Sequence, residues 1–311
     1  MTQGEQNSAA TPLFSIVIPV YNDWRPLEGC LQSIARQANA PSLEVIIVDD
    51  GSKETAPDSI RGALPGHTLT VIRQAHLGIP SARNRGIKAS GGAVLLCVDA
   101  DSRLEADCLA ALNSTISQLP QYDCFQLQLV GNRSSLVGRA EALRLMTLQQ
   151  HMVRSDGCIR YLNTAGFAIR RGRADLEAGV FDPLALRAED TLLLANLIQV
   201  GELPLFVPHA IVEHAIPLSL LGCFRKDIRS AYLERRAYEI IASKGVRIRL
   251  ANRERLRLLF SMWRTAGQDS IGRSAWFALV ARQVFLRTIS LGYRCLRFGF
   301  SANALGELHT H

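Results

Sequence analysis

Asp99 and Asp101, one residue apart, close the apolar run Ala93–Val98. Side chains alternate along a strand, so Asp99-Ala100-Asp101-Ser102 aims two carboxylates the same way. Such a pair repels itself unless a cation lies between the two groups. The natural occupant is a hard divalent ion, Mg²⁺ or Mn²⁺, which one or two carboxylates hold together with phosphate oxygens. Asp-x-Asp is common at strand ends, so the pair gains weight only from its company. Tyr21-Asn22-Asp23 follows another apolar run, and Asp49-Asp50-Gly51-Ser52 a third. A second acidic pair, Glu189-Asp190, opens a helix-like stretch to Val200. The positive end of a helix dipole holds a carboxylate ionised, which suits a proton acceptor.

These groups need a scaffold that brings strand ends together. Ser15–Val20, Leu43–Val48, Thr68–Ile72 and Ala93–Val98 are short apolar, β-branched runs. Helical patterns separate them: Pro26–Ala38, a weaker one near Thr55–Ala63, and Ser81–Ser90. Strands that alternate with helices and are apolar on both faces predict an α/β fold with a mostly parallel central sheet flanked by helices. Ligands of such sheets bind at the carboxyl ends of the strands, where the acids fall. Beyond Leu104 the pattern predicts a strand at Cys124–Val130, a helix at Leu136–Val153, a helix at Glu189–Val200 and a short strand and turn at Phe206–His214. From Pro217 the chain reads helical and basic. No Gly-x-Gly-x-x-Gly follows the first strand, no Gly-x-x-x-x-Gly-Lys-Ser/Thr is present and there is no serine nucleophile elbow, so the ligand is held by acids and not by a glycine-rich loop.

The 311 residues allow one sizeable α/β domain plus an appendage, and 48% hydrophobic content fits a folded chain. Seven widely spaced cysteines without Cys-x-x-Cys read as reduced core thiols of a cytoplasmic protein, not as a disulfide or zinc framework. Residues 1–13 read as a short disordered leader, not a signal peptide. The net charge of +7 is uneven: Cys223–Phe300 carries 17 Lys/Arg against 5 Asp/Glu, a net +12, so the rest carries −5. A basic segment of this kind meets nucleic acid or anionic lipid.

Ser15-Ile-Val-Ile-Pro-Val-Tyr-Asn22, Val45-Ile-Ile-Val-Asp-Asp-Gly-Ser52, Gly78-Ile-Pro-Ser-Ala-Arg-Asn-Arg-Gly86 and Val98-Asp-Ala-Asp-Ser102 occur in order. Together they closely resemble the family 2 inverting glycosyltransferases of GT-A fold, and Asn163–Arg171 and Ala188-Glu-Asp-Thr191 are similar to that family's acceptor-side segments. The resemblance covers about residues 14–215, leaving 216–311 as a basic helical extension. It implies transfer of a sugar from a nucleotide-diphosphate donor, UDP by default, to a carbohydrate or lipid-linked acceptor in surface polysaccharide, envelope or glycolipid synthesis. Pro19 and Tyr21 would shape the nucleotide-base pocket, or pack the strand end. Asp50 would accept a hydrogen bond from base or ribose, or form the turn before Gly51. Arg83 would neutralise diphosphate charge, or sit on a solvated helix face. Asn84 would lie near the donor, or cap and pack. Asp99 would face ribose or metal, and Asp101 would bind the Mn²⁺ or Mg²⁺ that offsets charge on the departing diphosphate. His214 resembles a histidine that completes the metal shell in some relatives, though a structural histidine fits there too; His209 reads as structural. Asp190 fits the catalytic-base position, with Glu189 as its orienting neighbour. None of the three tryptophans follows an arginine, so the Gln-x-x-Arg-Trp of processive synthases is missing and one sugar per encounter is expected. Two rivals stand beside this reading. One is a silent sugar-nucleotide-binding scaffold; the other is a sugar nucleotidyltransferase, whose usual glycine-rich basic loop has no counterpart in Pro19–Asp23.

Ala275–Phe300 has the length of a membrane span but contains four arginines. On a helical wheel at about 100° per residue Arg282, Arg287, Arg294 and Arg297 share one side, leaving an apolar face beside a cationic one. Either the helix lies in the interface of an anionic membrane, placing the protein peripherally on the cytoplasmic face, or it packs on the catalytic domain with its arginines solvated. The apolar content and the sugar-nucleotide signature argue against nucleic acid as the partner.

Overall fold

The computed structural model describes residues 12–174, 179–214, 220–246, 248, 250–268 and 271–295. Most of the leader expected at 1–13 lies outside them. The first half alternates as the sequence predicts: β1 (Phe14–Val20), α1 (Trp24–Ala35), β2 (Leu43–Asp49), α2 (Asp58–Arg61), β3 (Thr68–Arg73), α3 (Ile79–Ala89), β4 (Val94–Cys97). The second half runs β5 (Ser102–Leu104), α4 (Cys108–Gln118), β6 (Cys124–Gly131), α5 (Leu136–Met152), β7 (Phe167–Arg170), α6 (Glu189–Gln199) and β8 (Leu205–His214). Three further helices follow: α7 (Leu220–Ser243), α8 (Asn252–Gln268) and α9 (Arg273–Cys295).

Among the described residues eight strands form one sheet in the order β3-β2-β1-β4-β7-β6-β8-β5. β3, β2, β1 and β4 are parallel, as expected. The other half is mixed: β7 runs antiparallel to both β4 and β6, β8 parallel to β6, and β5 antiparallel to β8. β5 and β7 are only three and four residues long, too short to show a period in sequence. The patch near Thr55–Ala63 shrinks to the single turn of α2. Phe206–His214, expected to be a short strand and turn, belongs to the ten-residue strand β8, which a bulge interrupts, since Leu127 pairs with Val207 but Gln128 with Ile211. Pro208, which cannot donate to a ladder, sits in that bulge.

Both faces of β1, β2 and β4 are buried, which explains their continuous apolar runs, while the edge strand β3 is partly exposed. Ile16, Ile18, Val45 and Ile47 pack with Leu27, Leu31 and Ile34 of α1 and Leu109 and Leu112 of α4. On the opposite face Val17, Leu95 and Cys97 meet Ile87 of α3 and Leu193, Leu194 and Leu197 of α6. Each such fully buried aliphatic side chain is worth about 1.5–3 kcal/mol. The C-terminal helices add a layer: Leu258 and Met262 of α8 and Ala275 and Leu279 of α9 pack on Ala140 and Leu143 of α5. Ala237 and Ile241 of α7 pack on Leu192 and Ala195 of α6. No helix among the described residues is long and apolar enough to cross a membrane.

Candidate active site

Asp99 and Asp101 lie on a turn between β4 and β5, closed by the Ser102 amide donating to the Asp99 carbonyl (3.0 Å). The strand ends at Cys97, earlier than the apolar run suggests, yet the alternation survives: Ala100 is buried while both carboxylates reach the surface. Opposite them stands His214, placed by the pairing of β8 with Ser102 of β5 and Gly131 of β6. Its Nε2 is 3.4 Å from Asp101 Oδ1 and 3.9 Å from Asp99 Oδ2. One ligand atom from each of the three residues falls within 4.8 Å of the others. Two carboxylate oxygens and one imidazole nitrogen suit Mn²⁺ or Mg²⁺ and leave room for phosphate oxygens. His209 lies exposed at the β8 bulge, outside this cluster.

Arg83 is the hub of the site. It is only 2% exposed and donates through Nη2 to Asp99 Oδ1 and through Nη1 to Glu189 Oε1, each at 2.6 Å. Its guanidinium also lies 5.6 Å from the Phe181 ring centre, and its Nε has no hydrogen-bond partner. The solvated helix face weighed for it is therefore wrong, because both charges that hold it come from distant elements. Glu189, expected to orient Asp190, bonds to Arg83.

The helix that carries Arg83 is aimed by Asp50. One oxygen of Asp50 accepts from Gln74 Nε2 (2.7 Å) and the Leu77 amide (2.9 Å); the other contacts the Gly78 amide and His76 Nδ1, each at 2.9 Å. A carboxylate has about four lone-pair sites. Three of them take donors from the loop that starts α3, and His76 Nδ1 lies against the same carboxylate while also 3.0 Å from the Asp50 carbonyl, so this side chain braces the loop. Gly78 has φ +92°, which a side chain rarely adopts, and Pro80 follows in the first turn. Gly86 lets α3 lie on β1, since a Cβ there would be 2.4 Å from Val17 Cγ1. Tyr21 stacks on His76 at 4.0 Å between ring centres. Pro19, half-buried in β1 opposite Val48, supports the same strand end. Asn84 uses its whole amide on the backbone of Phe181, donating to its carbonyl (2.7 Å) and accepting from its N–H (2.9 Å). It is a clamp between α3 and the segment before α6.

The helix of Glu189 and Asp190 is entered through Ala188 in left-handed conformation at φ +58°, a strained start. Burial, then the neighbouring Glu189 charge, push the Asp190 carboxyl up to about 7, although Thr191 donates to it from N–H (2.6 Å) and hydroxyl (3.1 Å) and Arg83 opposes the shift. The helix dipole, which was expected to keep it ionised, is outweighed.

Behind this site lies a buried pair that the sequence reading missed. Arg144 Nε contacts both oxygens of Glu141 (2.9 and 3.0 Å), and Arg144 also hydrogen-bonds Tyr161, which accepts from Asn163 Nδ2 at 3.2 Å. Burial pushes the Glu141 carboxyl up, but Arg144, then Arg282 of α9 and His214, bring it down to about 2. The three-residue spacing of Glu141 and Arg144 was visible; that they face inward was not. Arg282, expected on a cationic face turned to anionic lipid or to solvent, turns toward Glu141 (3.5 Å). Of the other tail arginines, the side chains of Arg287 and Arg294 and all of Arg297 lie outside what the structure describes.

Comparison with known proteins gives a common answer. A "PGL/p-HBAD biosynthesis glycosyltransferase" of Mycobacterium bovis is 38% identical over 112 residues, 35% of this chain and 43% of that protein. The chain spans less than half the length of the curated relatives it matches. Among solved structures, TarS 1-349 of S. aureus superposes with TM-score 0.56 at 18% identity, covering 88% of this chain and 80% of that one. "Mannosyltransferase PcManGT from Pyrobaculum calidifontis in complex with GDP-Man and Mn2+" gives TM-score 0.52 at 18% identity, covering 89% and 87%. These likenesses confirm the expected GT-A fold with its helical C-terminal part. The model of "Glycosyl transferase family 2" matches residues 15–176, more than half of the sequence, and the chain belongs to that family.

Proposed function

We propose that this protein is a metal-dependent, inverting glycosyltransferase that moves one sugar from a nucleotide-diphosphate donor to an acceptor hydroxyl. The observation that carries the reading is Arg83, which ties the Asp99–Asp101–His214 cluster to the Glu189–Asp190 helix end. Asp101, Asp99 and His214 would hold a divalent cation, whose chemistry is to offset the charge gathering on the leaving nucleoside diphosphate. Complexes of structural neighbours with UDP, UDP-GlcNAc and GDP-Man support a nucleotide sugar as donor, with UDP the default. The Tyr21–His76 stack offers an aromatic edge for a base. Asp190 accepts the acceptor hydroxyl's proton; the oxygen then forms its bond to the anomeric carbon as the bond to the diphosphate breaks on the opposite face. An acid whose pKa lies near 7 is matched to that proton transfer. The acceptor is a carbohydrate or a lipid-linked glycan, met at the cytoplasmic face of a membrane, and transfer is non-processive.

Thermal shift against a panel of UDP-, GDP- and dTDP-sugars with and without Mn²⁺, wild type beside Asp101→Ala, tests the donor half. A donor that stabilises wild type only with metal, and fails with Asp101→Ala, is the expected result. Stabilisation by no donor, or equal stabilisation of the variant, would overturn it. Turnover of a bound donor to more than one linked sugar per acceptor would remove the non-processive part.

A further inference from the structure

The inner sides of α8 and α9 are spent on α5, so their outer sides should be polar if water is their only neighbour. They are only partly so. Among polar groups such as Ser261 and Thr288, large apolar side chains stand exposed there: Leu256 (57%), Phe260 (73%), Phe277 (59%) and Val284 (58%), with Phe285 (37%) at the side. On α8 these apolar groups alternate with the exposed arginines Arg253, Arg257 and Arg264, and Arg273 opens α9. None of these four arginines has a carboxylate partner among the described residues. Arg273 instead lies 4.7 Å over the Trp263 ring, and Phe277 meets the same ring edge-on at 5.8 Å. A cleft of about 360 Å³ opens between Phe260, Trp263, Arg264, Gly267 and Arg273. Trp276 is held beneath by its indole N–H donating to the Leu259 carbonyl (3.1 Å).

We propose that this outer face of α8 and α9 docks on an anionic lipid bilayer. It deepens the membrane-surface part of the reading above and is independent of the transfer chemistry. The wheel of α9 left open whether its arginine side met lipid or solvent; at Arg282 it meets neither alone, since Arg282 pairs with buried Glu141 and Phe277 and Val284 face out. The cations of the docking face come instead from α8 and the start of α9. Aromatic and aliphatic groups interleaved with arginine suit the boundary between lipid headgroups and acyl chains, where hydrocarbon is buried and phosphate is paired. A second copy fits worse, because apposing two such faces stacks arginine on arginine. Single-stranded nucleic acid rewards aromatic faces, but gives nothing for exposed Leu256 and Val284.

The full chain is co-sedimented with vesicles of phosphatidylcholine alone and with about 30% phosphatidylglycerol added. Binding to the anionic vesicles only, weakened by salt, is expected. Arg253→Ser/Arg257→Ser/Arg264→Ser should lower that affinity about 100-fold. Phe260→Ser/Phe277→Ser should remove the part that survives high salt. Both variants change exposed residues, and unchanged thermal stability and sugar-nucleotide binding would show that they fold. That control also separates failure of this proposal from failure of the transferase reading. Absence of pelleting, or pelleting that neither variant weakens, would overturn the proposal. So would a concentration-dependent dimer abolished by the phenylalanine variant, or an oligonucleotide that binds this face more tightly than vesicles do.

Discussion

Asp190 and Glu141 are shifted in opposite directions, and their signs separate in experiment. A base pushed up to about 7 is protonated in mild acid, so transfer should rise with pH through about 7 and level off above it. The same shift means that the ionised form costs stability, a cost fully present at alkaline pH and relieved as pH falls through 7. Asp190→Asn should therefore abolish transfer yet gain about 1 kcal/mol of stability at pH 8, a few degrees in Tm. Glu141, held near 2, contributes stability that is present above the ordinary carboxylate range and lost as pH falls toward 2. Glu141→Gln leaves Arg144 and Arg282 without their anion and should cost about 3–5 kcal/mol by chemical denaturation. For Arg83, substitution by lysine keeps the charge but cannot fork to Asp99 and Glu189 together. Donor affinity and turnover should both fall in Arg83→Lys. At this scale the sequence revealed which side chains carry chemistry, because Asp99, Asp101, His214, Arg83 and Glu189 do converge. It did not reveal what each one bonds. Asp50 and Asn84 bond to loops whose paths depend on tertiary packing, and no spacing rule reports that.

α3 is the element on which the site turns, and its position rests on one missing side chain. Gly86→Ala would set a Cβ 2.4 Å from Val17 Cγ1 and 3.1 Å from Val48 Cγ2. The helix must lift from β1, carrying Arg83 and Asn84 with it. We expect a loss of about 1–3 kcal/mol and a weaker donor interaction, with Val17→Ala in the Gly86→Ala background recovering part of both. Elements were legible in proportion to their length and two-sided burial. β1, β2 and α1 are long and read correctly, and so is the partly exposed edge strand β3, whereas β5 and β7, at three and four residues, carry no period of their own. α9 was legible as an amphipathic helix but not in its orientation, because burial of Arg282 depends on Glu141, more than a hundred residues earlier in the chain.

Across the whole molecule, the six described cysteine side chains are all buried, none is in a disulfide, and they are spread over different elements: Cys30 on α1, Cys97 on β4, Cys108 on α4, Cys124 on β6, Cys158 before β7 and Cys223 on α7. Burial pushes the Cys97, Cys108 and Cys124 thiols up to about 12, the nearby Arg83 opposing it at Cys97. A thiol that is neither exposed nor ionised reacts only when its surroundings open. The chain thus carries its own clock for unfolding, one hand in each layer. In dilute denaturant, pulse alkylation read by mass spectrometry should mark Cys223 before Cys30 and Cys97 if the helices after β8 detach as a separate unit. Simultaneous marking would mean that sheet and helical layer melt as one.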